Sequence, residues 1–384
     1  MNAMSYLDHN ATSPLRPEAQ AAMQRAFGIA GNPSAVHASG RAARAVVDEA
    51  RDQVARLVNA DTGDIVFTSG GSEANALALW GAVQGARDSS APVTRLVVSA
   101  IEHDSVLKAA AAVAERTGVE FVTIPANDDG VVDIGALEQQ VNNTARALVA
   151  VMAANNETGV VQPIEAVASR ARAHNALFLV DAVQACGKIP LDVDALGADY
   201  LTISAHKFGG PQGVGALVLK SSAPFAPQLP GSQEKGRRGG TENVIGIAGF
   251  GQAAEQAAQN DVSPIAAWRR RFETLLRERF PDVAIFGEAS PRLTNTSNFA
   301  IPGLSAETAV IALDLDGINV SSGAACSSGK VQPSHVLRAM GVPPELASCG
   351  LRVSFGWNSV EADTGAAVAA LDRLAARIRE RKAA

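Results

Sequence analysis

Asp199-Tyr200-Leu201-Thr202-Ile203-Ser204-Ala205-His206-Lys207 runs directly into FGGPQGVGALVL. A short apolar, β-branched run stops at small and polar residues, and a glycine-rich turn leads into a second apolar run, Gly215 to Leu219. Lys207 therefore falls at a strand end. An isolated lysine there is usually just solvated. Here Ser204 and His206 precede it, and three glycines with Pro211 follow, which lets backbone come close to a bulky ligand. The sharper reading is a Schiff-base lysine.

Outward from this stretch, short apolar runs alternate with helical stretches. Ile65 to Thr68, Arg95 to Ser99, Glu120 to Ile124, Ala147 to Met152, Leu177 to Val180, Tyr200 to Ile203 and Gly215 to Leu219 make seven strands. Strands separated by helices imply a mainly parallel sheet, with ligands at the carboxyl ends of the strands. Polar residues gather at those ends: Glu102 and His103, Asn155 to Glu157, Asp181 and Gln184, then Ser204, His206 and Lys207. Singly, each is explained as a turn or cap. Together they mark a site. A carboxylate ending a buried strand, as in FLVDAVQA, suits a cationic ring nitrogen, and His103 has the pKa range for proton transfer. In IVFTSGGSEANALAL the turn at Gly70 and Gly71 opens a helix expected from Glu73, so free amides with Ser72 can cradle a phosphate.

Composition bounds the rest. A chain of 384 residues suggests two domains, and a net charge of −6 argues against nucleic acid or an anionic membrane as partner. Cys186, Cys326 and Cys349 are too few and scattered for a disulfide framework or a metal cluster. No apolar run reaches membrane-spanning length and the start lacks a signal-peptide core, so a cytoplasmic protein is expected. Pro17 sits in the first turn of a helix after YLDHNATSPLRP, and a second helix is expected from about Ser39 to Val58, with Asn32 and His37 as loop or cap residues. Beyond Asn260 the pattern changes. WRRRFETLLRERF reads as a charged amphipathic helix and LTNTSNFAI as an exposed-edge strand, giving a large domain of residues 14–260 and a small one of 1–13 plus 261–384.

ANNETG (Ala154 to Gly159), DAVQACGK (Asp181 to Lys188), SAHK and QEKGRRGGTEN (Gln233 to Asn243) together resemble the cysteine desulfurases of the nitrogenase and iron–sulfur-cluster type. These are pyridoxal-phosphate enzymes of the class V aminotransferase group, with an aspartate aminotransferase-like, fold type I α/β architecture and a smaller α+β C-terminal domain. The resemblance runs from Leu7 to about Gly356. It implies that Lys207 carries pyridoxal 5′-phosphate, that Asp181 pairs with its ring nitrogen and Gln184 with its ring hydroxyl, and that His103 stacks on the ring and moves protons. Gly71, Ser72, Ser204 and His206 would hold the phosphate, completed by Thr241 of a second subunit in a homodimer. Arg352 in LRVSFG, with Asn155 as its partner, would grip the substrate carboxylate. Ser13, Ser232 and Lys235 depart from residues usual in the family.

In NVSSGAACSSGKVQPSHVLRAMG, small residues surround Cys326 and offer no apolar shelter, unlike the buried setting expected for Cys186 and Cys349. SSGAACSSG resembles the desulfurase cysteine loop, with Ala324 and Ser327 as departures. The resemblance implies that Cys326 takes sulfur from L-cysteine as a persulfide, leaving L-alanine, and passes it to an acceptor or iron–sulfur scaffold protein. No metal site is expected in the protein alone, although Cys326 could ligate a transferred cluster. Twelve residues, Ser321 to Gln332, would let the loop's middle swing roughly 20 Å. Another enzyme of this fold, such as an aminotransferase or selenocysteine lyase, and a non-catalytic scaffold protein are the competing readings.

Overall fold

The computed structural model describes residues 4–142, 146–322 and 334–383. Its strands are β1 (Ser5–Tyr6), β2 (Ile65–Thr68), β3 (Arg95–Ser99), β4 (Glu120–Ile124), β5 (Ala147–Ala150), β6 (Leu177–Asp181), β7 (Tyr200–Ser204), β8 (Gly215–Leu219), β9 (Ala284–Ile285), β10 (Thr296–Ala300), β11 (Ile318–Asn319) and β12 (Gly350–Ser354). Seven of them form one sheet in the order β2-β8-β7-β6-β5-β3-β4. The expected α/β architecture is present. Only β8 runs against its neighbours, pairing antiparallel with β2 and β7.

Alternation along each strand builds two cores. Val97, Phe178, Val180 and Ile203 face helices 38–57, 164–173 and 244–258, whereas Leu96, Val98, Leu177 and Leu179 face helices 71–86 and 104–117. Both faces are dry. That is why β6 reads as a continuous apolar run ending in Asp181, a pattern typical of parallel strands covered on each side. Helices 38–57 and 244–258 meet so closely that a Cβ on Gly251 would lie 2.6 Å from Ala50 Cα. His37 caps the first of them, its Nδ1 accepting from Gly40 N at 3.2 Å.

A second, smaller sheet has the order β12-β10-β9 and packs on helices 263–279 and 362–383 through Phe272, Phe299, Leu351 and Leu371. The stretch LTNTSNFAI is therefore not an exposed edge. Its strand β10 is central, and all five residues are buried. Two of the polar side chains that suggested exposure meet the N-terminal segment: Thr296 Oγ1 accepts from Asn10 Nδ2 at 2.8 Å, and Asn295 Nδ2 donates to Asn10 Oδ1 and to Phe355 O, both at 3.0 Å.

That N-terminal segment joins the two sheets. Leu7 packs in the small core and donates to Asn319 O, Ser354 N donates to Leu7 O, and Ser13 N donates to His206 O at 2.7 Å. It crosses the carboxyl ends of β5, β6 and β7, where the cleft opens.

Candidate active site

The cleft is about 260 Å³ and is bounded by the ends of β3, β5, β6 and β7 and by the turn after β2. Helix 71–86 begins at Gly71, two residues earlier than its sequence suggests, and Gly70 provides no side-chain cap. The first helical amides have no acceptor within the helix, and Gly71 and Ser72, which carry two of them, line the cleft. Gly71 is required by proximity: a Cβ there would come 2.8 Å from Val183 Cγ2 and 3.4 Å from Ser204 Cβ. Ser204 Oγ, buried beside this turn, has no hydrogen-bond partner among the described residues. A buried hydroxyl without a partner next to bare amides fits an anionic ligand with several acceptor oxygens.

Lys207 follows β7 in a single 3₁₀ turn, and its Nζ donates to Asn10 O at 2.7 Å and Ala11 O at 2.9 Å. Burial and the nearby Arg352 guanidinium push its pKa down to about 8, against the pull of Asp181 and Asp8. A neutral, nucleophilic amine is thus accessible near neutrality. His206 contacts Thr12 Oγ1 through Nδ1 at 3.1 Å, and burial followed by Lys207 lowers its pKa to about 4. It offers the cleft a neutral imidazole.

Asp181 lies on the cleft wall, 5% exposed. Its Oδ2 accepts from Asn75 Nδ2 at 2.8 Å and its Oδ1 from Val183 N at 2.9 Å. Asn75 also donates to Ser105 Oγ at 3.0 Å and accepts from Thr202 Oγ1 at 2.6 Å, and Ser105 Oγ lies 2.8 Å from His103 Nδ1. These contacts link Asp181 to His103. Because Ser105 N donates to His103 Nδ1, the neutral ring carries its proton on Nε2. Burial lowers the His103 pKa, partly offset by Asp181. Beside it, burial and then Asp181 raise the Glu102 carboxyl well above the usual range, and its Oε1 accepts from Met152 N at 2.7 Å.

Asn75 and Ser105 were not singled out in the sequence. Their signal was modest: Asn75 is a polar residue three positions after Ser72, inside the mostly apolar stretch ANALALW.

Gln184 lines the cleft, with Nε2 donating to Asn10 O at 2.9 Å and Oε1 accepting from Lys188 Nζ at 2.7 Å. Asn155 stands behind the wall. Its Oδ1 accepts from Glu157 N and Thr158 N and its Nδ2 donates to Ile101 O, so Asn156 rather than Asn155 borders the cleft. Arg352, on β12, donates to Asn156 O at 2.9 Å and pairs with Asp8 at 2.7 Å; its Nε is buried without a partner among the described residues. Asn155 is not among its contacts. Thr241 is exposed and lines a separate hollow with Ser69, Gly213 and Arg238, outside this cleft. Cys326 lies outside the described residues. Before it, Ser321 bridges to Arg352, and after it, Ser334 bonds to Glu157.

The aminotransferase class-V family model matches residues 5–366. The chain belongs to the aminotransferase class-V family. Among curated class-V relatives, it is 44% identical over 352 residues to a cysteine desulfurase of Cereibacter sphaeroides, covering 91% of this chain and 90% of that one. It is 38% identical over 379 residues to the cysteine desulfurase IscS of Dictyoglomus turgidum, covering 97% and 95%. Among solved structures, a NifS-like protein from Rickettsia africae superposes with a TM-score of 0.87 at 34% identity, covering 96% of this chain and 99% of that one. SspA in complex with cysteine superposes with a TM-score of 0.80 at 28% identity, covering 93% and 100%. The class-V fold expected from the sequence is therefore the fold observed. Among the described residues, no helix is long and apolar enough to cross a membrane.

Proposed function

We propose that this protein is a cysteine desulfurase that uses pyridoxal 5′-phosphate to convert L-cysteine to L-alanine and delivers the sulfur to Cys326 as a persulfide. The observation that carries the reading is the lysine amine of Lys207 at a strand end. It shares one cleft with the Asp181 carboxylate and the partnerless Ser204 hydroxyl. Those three groups match an aldehyde, a pyridinium nitrogen and a phosphate on one small molecule.

When bound, the cofactor supplies a ring that accepts the electron pair left by the substrate α-proton. The chain supplies the rest. Lys207 would hold the cofactor's aldehyde carbon, and its amine, with the pKa lowered to about 8, would suit the substrate α-proton. Asp181, oriented by Asn75, would keep the ring nitrogen protonated, and the amides of Gly71 and Ser72 with Ser204 Oγ would hold the phosphate. His103 presents Nε2–H for proton movement. Arg352 offers its free Nε beside the Asp8 pair to the substrate carboxylate.

Thr241, exposed and away from its own cleft, is the residue we assign to the partner's phosphate site in a homodimer. We further propose a cytoplasmic location, a sulfur acceptor or scaffold protein as partner, and the division into residues 14–260 and 1–13 plus 261–384. The separate core around Leu7, Phe272 and Leu351 supports that division.

Of the other two cysteines, Cys186 is fully buried, and burial pushes its thiol up to about 12. Cys349 is buried too, with Sγ on Glu345 O. Neither suits sulfur transfer, which requires an accessible thiolate. After brief exposure of the protein to cysteine, alkylation and peptide mass spectrometry should find the extra sulfur on Cys326, with alanine formed alongside. Sulfur on Cys186 or Cys349, or a normal rate in Cys326→Ser, would reject the reading.

A further inference from the structure

Lys188 is a second lysine, behind Gln184, and among the described residues no carboxylate contacts it. Its Nζ donates to Gln184 Oε1 at 2.7 Å and to Asn10 Oδ1 at 2.8 Å. The polarity of this cluster follows from acceptors that cannot be reversed. Asn156 O is a main-chain carbonyl, so the Asn10 group facing it at 3.2 Å must be Nδ2, and Asn10 Oδ1 must face Lys188. Asn295 is fixed in the same way by Phe355 O, which leaves its second Nδ2 hydrogen for Asn10 Oδ1. On the other side, Gln184 meets Asn10 O at 2.9 Å, again a carbonyl that only accepts, so the atom facing it is Nε2.

We propose that Lys188 is a positioning residue that fixes the amide of Gln184, so that Gln184 turns a hydrogen-bond donor, never an acceptor, toward the cleft. Gln184 Nε2 carries two hydrogens and gives one to Asn10 O. The other is left for the cleft that Gln184 lines. Two anchors hold the amide in this sense, Lys188 on its oxygen and Asn10 O on its nitrogen. Lys188 does so in either protonation state, because a neutral amine still has two hydrogens for its two acceptors. Burial and the neighbouring Lys207 and Arg352 lower its pKa well below 10.5, which leaves this geometry unchanged. A fixed donor favours a ring oxygen that is anionic over a ring lacking that oxygen. Asn10 connects this pair to the chemistry, since the same carbonyl that takes Gln184 Nε2 also takes Lys207 Nζ at 2.7 Å.

The inference rests on the pyridoxal-phosphate reading and deepens it. The test measures binding to the protein freed of cofactor, not turnover, using pyridoxal phosphate and its 3-deoxy analogue, which lacks only the ring hydroxyl. Wild type should prefer pyridoxal phosphate by about tenfold or more, the value of a hydrogen bond to a charged oxygen. Lys188→Met should lower that preference by about tenfold. Gln184→Leu, which keeps the lysine, should lower it as much, and adding Lys188→Met in that background should change the preference no further. A loss that falls equally on both compounds in Lys188→Met would mean that Lys188 is merely structural and would overturn the inference. Should Lys188→Met not fold, a wild-type preference retained in Gln184→Leu overturns it alone. Failure of wild type to bind either compound would overturn the cofactor reading itself, and this inference with it.

Discussion

The strand Ile65–Thr68 has a charged cluster at its flank and the cleft at its end, and the two are built differently. At the flank, Arg51 forks onto Glu234 at 2.7 and 2.8 Å, Phe67 N donates to Glu234 Oε2 at 3.0 Å, and Arg51 also donates to Ile65 O and covers the Phe67 ring. Donors and acceptors close on one another. At the end of the strand, Ser204 Oγ has no partner, the helix at Gly71 opens without a side-chain cap, and Lys207 rests on carbonyls, not on a carboxylate. A cluster that serves only the fold satisfies itself, whereas one that serves a ligand keeps capacity in reserve.

Three substitutions can break or sharpen that contrast. The largest effect is expected from Lys207→Ala: loss of a positioned acid–base group costs about 10²–10⁴-fold in rate. The variant should also lose the visible absorption of bound cofactor, yet its urea midpoint should not fall, because a desolvated amine has been removed. Glu234→Ala should do the reverse. Leaving Arg51 buried and unpaired costs about 3–5 kcal/mol in the unfolding free energy, read by urea titration, while the cofactor absorption of the folded fraction stays as in wild type. Ser204→Ala should have the smallest effect, weakening pyridoxal-phosphate affinity by about 10–100-fold, the range of a hydrogen bond to a charged group, without destabilising the cofactor-free protein. If Ser204→Ala instead lowers the cofactor-free stability and spares affinity, the cleft hydroxyl belongs with the flank cluster and the contrast fails.

Much of the large sheet was legible because β2, β3, β6 and β7 obey one local rule, a covered apolar run that ends in a polar residue. Asp181 and Lys207 stood out for that reason, and both line the cleft. Reading failed where burial comes from a distant segment. Thr294 to Asn298 carry five consecutive polar side chains, which locally means exposure, but β10 lies between β9 and β12 with the N-terminal segment over it. Asn10 was hidden in the same way. It reads as a turn residue, and its partners Gln184, Lys188, Lys207 and Asn295 are assembled only by the tertiary fold. The contacts of Asn155 were equally illegible: its Oδ1 accepts from the amides of its own turn, and its Nδ2 reaches Ile101 O across the sheet.

The segment Asp8–Ser13 also constrains how the protein is made. Lys207 Nζ takes its acceptors from residues 197 and 196 positions earlier, and Arg352 pairs with a residue 344 positions earlier. During synthesis β1 leaves the ribosome long before its partner strand β11 exists to receive it. The segment that crosses the cleft must wait, unpaired, for nearly the whole chain to be translated. Contacts of such separation close late and slowly. The nascent chain can therefore build its large sheet early while the catalytic cleft is assembled last, so a truncated product would be folded in part and chemically inert.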